Sequence, residues 1–289
     1  MQEKLPFTKI QSIGNDYICI NGFKEHIVKL DELAKKITDR HYGIGADGLL
    51  IILPSALADI RIKVFNNDGC ETKPCGNVTH CAAKFAYSLG IIKNNTIKLE
   101  TISGTKILHL LIESDLVISA TLDIGSPIFT PEKIPVIIDP ALSNNSDNSK
   151  FIAQSVEIGN KTYSLTALNL SETHAIVFVQ NIADIDIEEL GKLIENHRIF
   201  PQKANVEFVE VVSPEKIKVR IWEKEIGSTL THDTCACAAA IASNLNGYTN
   251  LSVDVSLPRG TLHVNWDPKN NNVYMTGSTE IICEGNYFL

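Results

Sequence analysis

Two short segments hold five of the seven cysteines, and each sets a group able to move a proton ahead of a helix. The first, 66–81, reads Asn-Asn-Asp-Gly-Cys-Glu-Thr-Lys-Pro-Cys-Gly-Asn-Val-Thr-His-Cys and sets Cys75 ahead of an alanine-rich stretch. A cysteine before a helix start meets unpaired backbone N–H groups and the positive end of the helix dipole, which favours the thiolate. The same N–H groups form a receptor for a small carboxylate. A thiolate beside a bound carboxylate is equipped to take the proton from the neighbouring carbon. The second segment, 227–237, reads Gly-Ser-Thr-Leu-Thr-His-Asp-Thr-Cys-Ala-Cys and holds the equivalent place in the second half. There His232, Asp233 and Thr234 lie just before another alanine-rich helix, with Asp233 and Thr234 expected at the substrate, and histidine can serve as acid or base near neutral pH. With the halves facing each other, Cys75 and His232 approach one carbon from opposite sides, which inverts a stereocentre.

Blander roles compete for the same residues. A lone cysteine is usually structural, and a histidine before a helix often caps it or faces solvent. Cys19 and Cys283 sit in apolar runs and are expected in the core. Zinc ligation by His232, Cys235 and Cys237 with Cys70, Cys75 or Cys81 is the sharper rival. Against it, Cys-x-Cys within a helix points its sulfurs to different faces, and the chain has no Cys-x-x-Cys pair. No metal is expected.

The elements that must position these residues follow from periodicity. Segments 17–20, 49–53, 60–65, 96–102, 105–112 and 116–122 read as strands in the first half, by β-branched content and alternation. In the second half 175–179, 206–212, 217–222, 251–257, 261–266, 273–276 and 280–283 read the same way. Helices are expected at 31–40, with Leu33, Ala34 and Ile37 on one face, at 81–89 closed by Gly90, at 187–195, and at 237–244 closed by Gly247. The polar run 143–150 reads as an exposed loop. Two alanine-rich helices opening at Cys81 and Cys237, each after a polar turn segment, point to an internal duplication.

Composition bounds the rest. With 289 residues, 44% of them apolar and 21% charged, the chain is an ordinary globular one of two domains or one large one. Its net charge of −8, without a basic block, argues against nucleic acid and against a polybasic membrane anchor. No apolar stretch approaches the roughly 18–20 residues of a membrane helix, and the start lacks the order of a secretory signal. Seven cysteines are too few, and an odd number, for a disulfide framework, so a cytoplasmic protein is expected.

On these residues the chain resembles the diaminopimelate epimerases, amino-acid epimerases that work without pyridoxal phosphate. Phe7-Thr-Lys-Ile-Gln-Ser-Ile-Gly-Asn-Asp16 resembles the family's F-x-K-M-x-x-x-G-N-D, and His41-Tyr-Gly-Ile-Gly-Ala-Asp47 its H-x-G-x-G-A-D. Phe65-Asn-Asn-Asp-Gly69 followed by Cys75-Gly-Asn77 resembles F-N-x-D-G then C-G-N-G. Phe200-Pro201, Asn205-Val-Glu-Phe208 and Arg220-Ile-Trp-Glu223 continue in order. The ordered set spans nearly the whole chain and is highly specific.

The resemblance implies an α+β fold of two pseudo-symmetric α/β domains, each a mostly antiparallel sheet wrapped around a central helix. The expected division is 1–125 with a returning segment 278–289, and 126–277. The resemblance also implies two catalytic cysteines, one per half, and no cofactor. Cys75 matches the first. Asn15, Asn66 and Asn205 match substrate-binding asparagines, Glu223 the acidic residue that holds the distal ammonium, and Gly76, Asn77 and Thr234 the cradle for the reacting carboxylate. The implied partner is a small amino-acid substrate; a homodimer is left open.

Departures fall at the site itself. The family's G-E-T-x-A-C-G-T-G-A-C-A, anchored on Gly227, Thr229 and Cys237, puts His232 where the second catalytic cysteine belongs and Asp233 and Cys235 where glycines belong. Val78 and His80 replace a glycine and an arginine. Glu172 replaces an asparagine that touches the distal carboxylate, and Lys224 replaces the arginine that pairs with it, a planar fork exchanged for a point charge. Diaminopimelate, inverted from the LL to the meso form, is the nominal substrate. A racemase of a basic or neutral amino acid is the alternative, as is an amino-acid-binding paralogue without catalysis.

Overall fold

The computed structural model describes residues 3–25, 27–74, 76–138 and 149–289, which leaves Cys75 and 143–148 of the expected polar loop outside the described residues. Contacts divide the chain into two compact units, Met1–Asp123 with Thr276–Leu289, and Ile124–Met275.

The first unit begins with β1 (Lys4–Ser12) and β2 (Asn15–Asn21), then α1 (Leu30–Ile37), β3 (Gly48–Leu53), β4 (Ile60–Asn66) and β5 (Glu71–Thr72). After α2 (Gly76–Ser88) come β6 (Thr96–Thr101), β7 (Gly104–Glu113) and β8 (Leu116–Gly125). Pairing is antiparallel from β1 to β2, from β3 to β4 and from β4 to β5, and parallel from β2 to β3 and from β4 to β6. β6, β7 and β8 close as an antiparallel meander.

The second unit repeats the order. β9 (Gln154–Ile158) and β10 (Lys161–Asn169) lead to β11 (Thr173–Val179), α3 (Ile187–Glu195), β12 (Asn205–Ser213), β13 (Lys216–Glu223) and β14 (Gly227–Thr229). Then follow α4 (Asp233–Leu245), β15 (Ser252–Leu257) and β16 (Gly260–Trp266). Its pairings match one for one: β10–β11 antiparallel, β11–β12 parallel, β12–β13 and β13–β14 antiparallel, β13–β15 parallel, β15–β16 antiparallel. β17 (Val273–Ser278) and β18 (Glu280–Phe288) end the chain, and β18 pairs with β1 as β9 pairs with β10. The duplication read from two alanine-rich helices is thus a repeat of the whole strand order.

Each unit packs one helix on either side of its sheet, for reasons visible in the side chains. Leu33, Ala34 and Ile37 of α1 join Ile18, Ile20, Leu49, Ile51 and Phe65 in one core. Alternation then turns Leu50 and Ile52 to the opposite face, where α2 packs. Both faces of β3 are covered, which is why Gly-Leu-Leu-Ile-Ile-Leu reads as an unbroken apolar run. In the second unit Ile187 and Ile194 of α3 pack with Ala175, Val177, Val206, Phe208 and Trp222. His174, Asn205 and Glu207 therefore point to the other face, toward α4.

The helices begin earlier than expected. α2 starts at Gly76 rather than at Cys81, and α4 at Asp233 rather than at Cys237, while α1 stops at Ile37 rather than at Arg40. Periodicity hid both starts because every residue from Gly76 to Ala83 and from Cys235 to Ser243 is buried, so no polar face marks the first turn. Asp233 and Thr234 thus lie inside the first turn of α4, not before it. Strands β1, β9 and β10 were not expected; Pro6 and polar alternation mask β1. Pro6 is tolerated because β2 pairs only with Thr8 to Ser12. Cys19 is buried as expected, but Cys283 is exposed. It lies on β18, where Ile281, Ile282 and Phe288 are exposed too, so apolar content there does not mean burial.

Gly191 on α3 abuts Trp222, and a Cβ there would fall 2.6 Å from the indole Cγ. Gly191→Ala is expected to lower the unfolding free energy by about 1–3 kcal/mol through overpacking, measured by urea denaturation followed by circular dichroism; an unchanged midpoint would remove this close approach as a constraint.

Candidate functional site

The candidate residues fall into two groups, one per unit. In the first unit, Asn15 opens β2 after a two-residue turn in which Ile13 has φ 49° and Gly14 φ 80°. Positive φ at both turn positions is what a tight hairpin of this twist requires, and for a β-branched residue it costs about 1–2 kcal/mol. Around the turn runs a charge network that sequence reasoning missed, although Lys9, Asp16 and Asp47 sit in the quoted motifs and Arg40 directly precedes one. Lys9 Nζ lies 3.0 Å from Asp16, and Arg40 lies 2.7 Å from Asp16 and 2.8 Å from Asp47. Lys9 also donates to the Gly45 carbonyl at 2.6 Å, and the Asp47 N–H donates to Asp16 Oδ1 at 3.0 Å. The network ties the 41–47 loop to the Asn15 turn. Burial works to raise the Asp16 carboxyl, but hydrogen bonds and charge from Arg40 and Lys9 hold it below its ordinary value.

Asn66 ends β4 at an exposed turn, where its N–H donates to the Cys70 carbonyl and its carbonyl accepts from Gly69. Gly76 and Asn77 form the buried start of α2, and Asn77 Oδ1 has no hydrogen-bond partner among the described residues. The Thr79 hydroxyl donates to the Gly76 carbonyl at 2.7 Å.

The second unit brings together Glu172, Asn205, Glu223, Lys224, His232, Asp233 and Thr234. Glu172 sits in the turn between β10 and β11, and Asn205 opens β12. Asn205 uses both ends of its amide: Nδ2 donates to Glu172 Oε2 at 2.9 Å, and Oδ1 accepts from the Lys224 N–H at 2.9 Å. Burial would raise the Glu172 carboxyl, yet the Asn205 hydrogen bond and the charges of Lys224, His232 and His174 hold it low. Glu223 behaves oppositely: burial pushes its carboxyl up, and the Glu172 and Asp233 carboxylates add to that while His232 opposes it.

His232 is the residue that caps α4, in extended backbone at φ −153° and ψ 123°, and its side chain makes no capping hydrogen bond. Its Nδ1 is 3.1 Å from the Thr234 hydroxyl, and its Nε2 is 3.6 Å from Glu223 Oε1, too long for a hydrogen bond. The ring is thus oriented from one nitrogen and keeps the other beside a carboxylate, an arrangement that can carry a proton to or from a bound carbon acid. Behind α3, Trp222 Nε1 donates to Glu195 Oε2 at 2.8 Å, and the Glu225 N–H donates to Glu195 Oε1 at 3.1 Å, which fixes the end of β13 that carries Glu223 and Lys224.

Cys235 does not join His232. It is fully buried on α4 beside Glu207, and burial first, with the Glu207 carboxylate adding to it, pushes its thiol well above the ordinary range. His174 and Glu207, neither of them expected in a site, meet there through a 2.7 Å contact from Nδ1 to Oε1. The sequence signal was a glutamate within the buried run Asn-Val-Glu-Phe-Val, where a strand needs a reason to bury charge.

Comparison with known proteins was consistent across the chain. A family model described as diaminopimelate epimerase matches residues 7–130 and 166–282. A diaminopimelate epimerase of Desulfovibrio desulfuricans is 44% identical over 289 residues, covering 100% of both chains. That of Acetivibrio thermocellus is 40% identical over 279 residues, covering 96% of this chain and 97% of its own. Among solved structures, a PhzF-family phenazine biosynthesis protein of Bacillus anthracis superposes with a TM-score of 0.65 at 13% identity over 99% of this chain and 100% of its own. A hydroxyproline epimerase of Agrobacterium vitis gives 0.62 at 12%, over 100% and 94%. At such identities the structural likeness speaks for the fold alone.

The depressed Asp16 carboxyl sets the sign of an acid effect. Its pairing stabilises the fold fully above the ordinary value of 3.8 and is lost as pH falls through the lower folded value. The stability gap between the native chain and Asp16→Asn is therefore expected to be constant above about pH 5 and to shrink below the ordinary value; a gap that widens in acid would contradict the assignment.

Proposed function

Because the chain belongs to the diaminopimelate epimerase family, we propose that it inverts the Cα stereocentre of an amino acid by two-base proton transfer without pyridoxal phosphate, with Cys75 as one base and His232 as the other. The observation that carries the reading is the His232 ring at the head of α4, oriented by Thr234 and flanked by Glu223. In one direction the Cys75 thiolate takes the Cα proton, and the His232 imidazolium returns a proton to the opposite face. The chain then holds a thiol and a neutral imidazole, the pair that runs the reverse direction. Backbone N–H groups at the starts of α2 and α4 stabilise the charge that develops on the substrate carboxylate. Diaminopimelate is the nominal substrate, as the names of the full-length relatives support. The six described cysteines are all free, which supports a cytoplasmic setting.

One observation favours a second substrate reading. Glu172 already takes the Asn205 amide and faces Lys224, so the groups that the resemblance assigns to a distal carboxylate are occupied by a carboxylate of the protein. A basic or neutral amino acid meets no such competition.

Cys75→Ala is expected to abolish exchange of the α-proton in deuterated water, and retained exchange would overturn the two-base reading. His232→Asn is expected to lower turnover by about 10²–10⁴-fold. A panel of single enantiomers followed by optical rotation separates the substrates: turnover of diaminopimelate alone sets the second reading aside, and tight binding without any exchange assigns the chain to amino-acid binding instead.

A further inference from the structure

Among the described residues, one group of three side chains has the makings of a metal site, and no step of the proposed reaction uses it as one. His174 on β11, Glu207 on β12 and Cys235 in the first turn of α4 each turn one ligand atom to a common point, all within 4.8 Å of one another. His174 and Glu207 have no exposed side-chain surface, and Cys235 is likewise buried. One contact, from His174 Nδ1 to Glu207 Oε1, satisfies part of the set. Among the described residues, His174 Nε2 and Glu207 Oε2 remain buried without a hydrogen-bond partner. A buried polar atom left unpaired is costly, and a buried carboxylate more so. On the same face the next positions, Ile176 of β11 and Val209 of β12, are apolar, and Cys235 is followed in α4 by a run rich in alanine.

We propose that His174, Glu207 and Cys235 form a binding site for one borderline-soft divalent cation, zinc foremost. The donor set is one imidazole, one carboxylate and one thiolate, the mixture that suits zinc better than magnesium or calcium. With bonds of roughly 2.0–2.3 Å, tetrahedral zinc holds its ligand atoms about 3.3–3.8 Å apart, so the cluster closes onto an ion by movements of about 1 Å. On binding, the Cys235 thiol releases its proton to solvent, Glu207 enters as carboxylate and His174 as neutral imidazole. Two negative ligands then balance the ion, leaving a neutral buried complex and a fourth position for water. The site would pin the first turn of α4, the turn that His232 caps.

The rival is a metal-free chain of hydrogen bonds in which Cys235 donates to Glu207 and Glu207 holds His174. Tag-free protein carrying Cys70→Ser and Cys283→Ser, to remove the exposed thiols, is stripped with a chelator and titrated with Co²⁺. The expected result is saturation at one ion per chain with a thiolate-to-cobalt charge-transfer band, and a rise in Tm when Zn²⁺ replaces Co²⁺. Cys235→Ala and His174→Gln are expected each to lose the band and the Tm shift, while Cys237→Ala keeps both. Should Cys235→Ala lose its native circular dichroism, His174→Gln carries the same comparison. No saturable uptake, a band that survives Cys235→Ala, or a band lost only with Cys75→Ala overturns the proposal. None of these readouts depends on turnover, so the reaction and the metal site stand or fall separately.

Discussion

The constraint on which the structure rests is the burial of a helix on nearly all its sides. α2 and α4 lie against several strands, and from Gly76 to Ala83 and from Cys235 to Ser243 every residue is buried. Interiors are close-packed, so a helix surrounded in this way accepts only small side chains along most of its length. Alanine, cysteine and serine supply most of them in α4, and Gly76 with Cys81, Ala82, Ala83 and Ala86 in α2. The consequence for function is direct. A helix packed all round has its N-terminal N–H groups held in a fixed, largely dry place, where the dipole acts on a bound anion with little screening.

The same packing explains why the polar residues of the second unit form a ladder. β11 and β12 run parallel, and alternation gives Ala175, Val177, Val206 and Phe208 to the core under α3 while His174, Asn205 and Glu207 face α4. Glu172 with Asn205 makes the outer rung, and His174 with Glu207 the inner one. Exposure decides their character. The outer rung borders Lys224 and His232 and holds an ionised carboxylate beside them. The inner rung is fully buried beneath α4, and Cys235 is the side chain that meets it.

Much of this was legible in the residues. The ordered motifs fixed the family, the two alanine-rich helices betrayed the repeat, and α3 was bounded correctly because its amphipathic face and its Asp186 cap, which accepts from the Glu189 N–H at 3.0 Å, are local signals. The starts of α2 and α4 escaped, since a helix without a polar face has no period to read. β1 escaped because Pro6 reads as a strand breaker and only the pairing shows that it lies beyond the reach of β2. Cys283 was misplaced because β-rich apolar sequence looks the same on a covered strand and on an exposed one.

What the sequence determined by itself was chemical identity: a cysteine before one small-residue helix, a histidine before its counterpart, and acidic and basic exchanges around the second. These are properties of residue type and local spacing, which need no partner to be stated. What only the tertiary structure decided was who touches whom. That Asn205 spends its amide on Glu172 and Lys224, that Arg40 and Lys9 converge on Asp16, and that Cys235 turns to His174 and Glu207 instead of to His232 depend on strand register and on the face each helix buries. Those are set by the packing of segments tens of residues apart, and no local pattern encodes them.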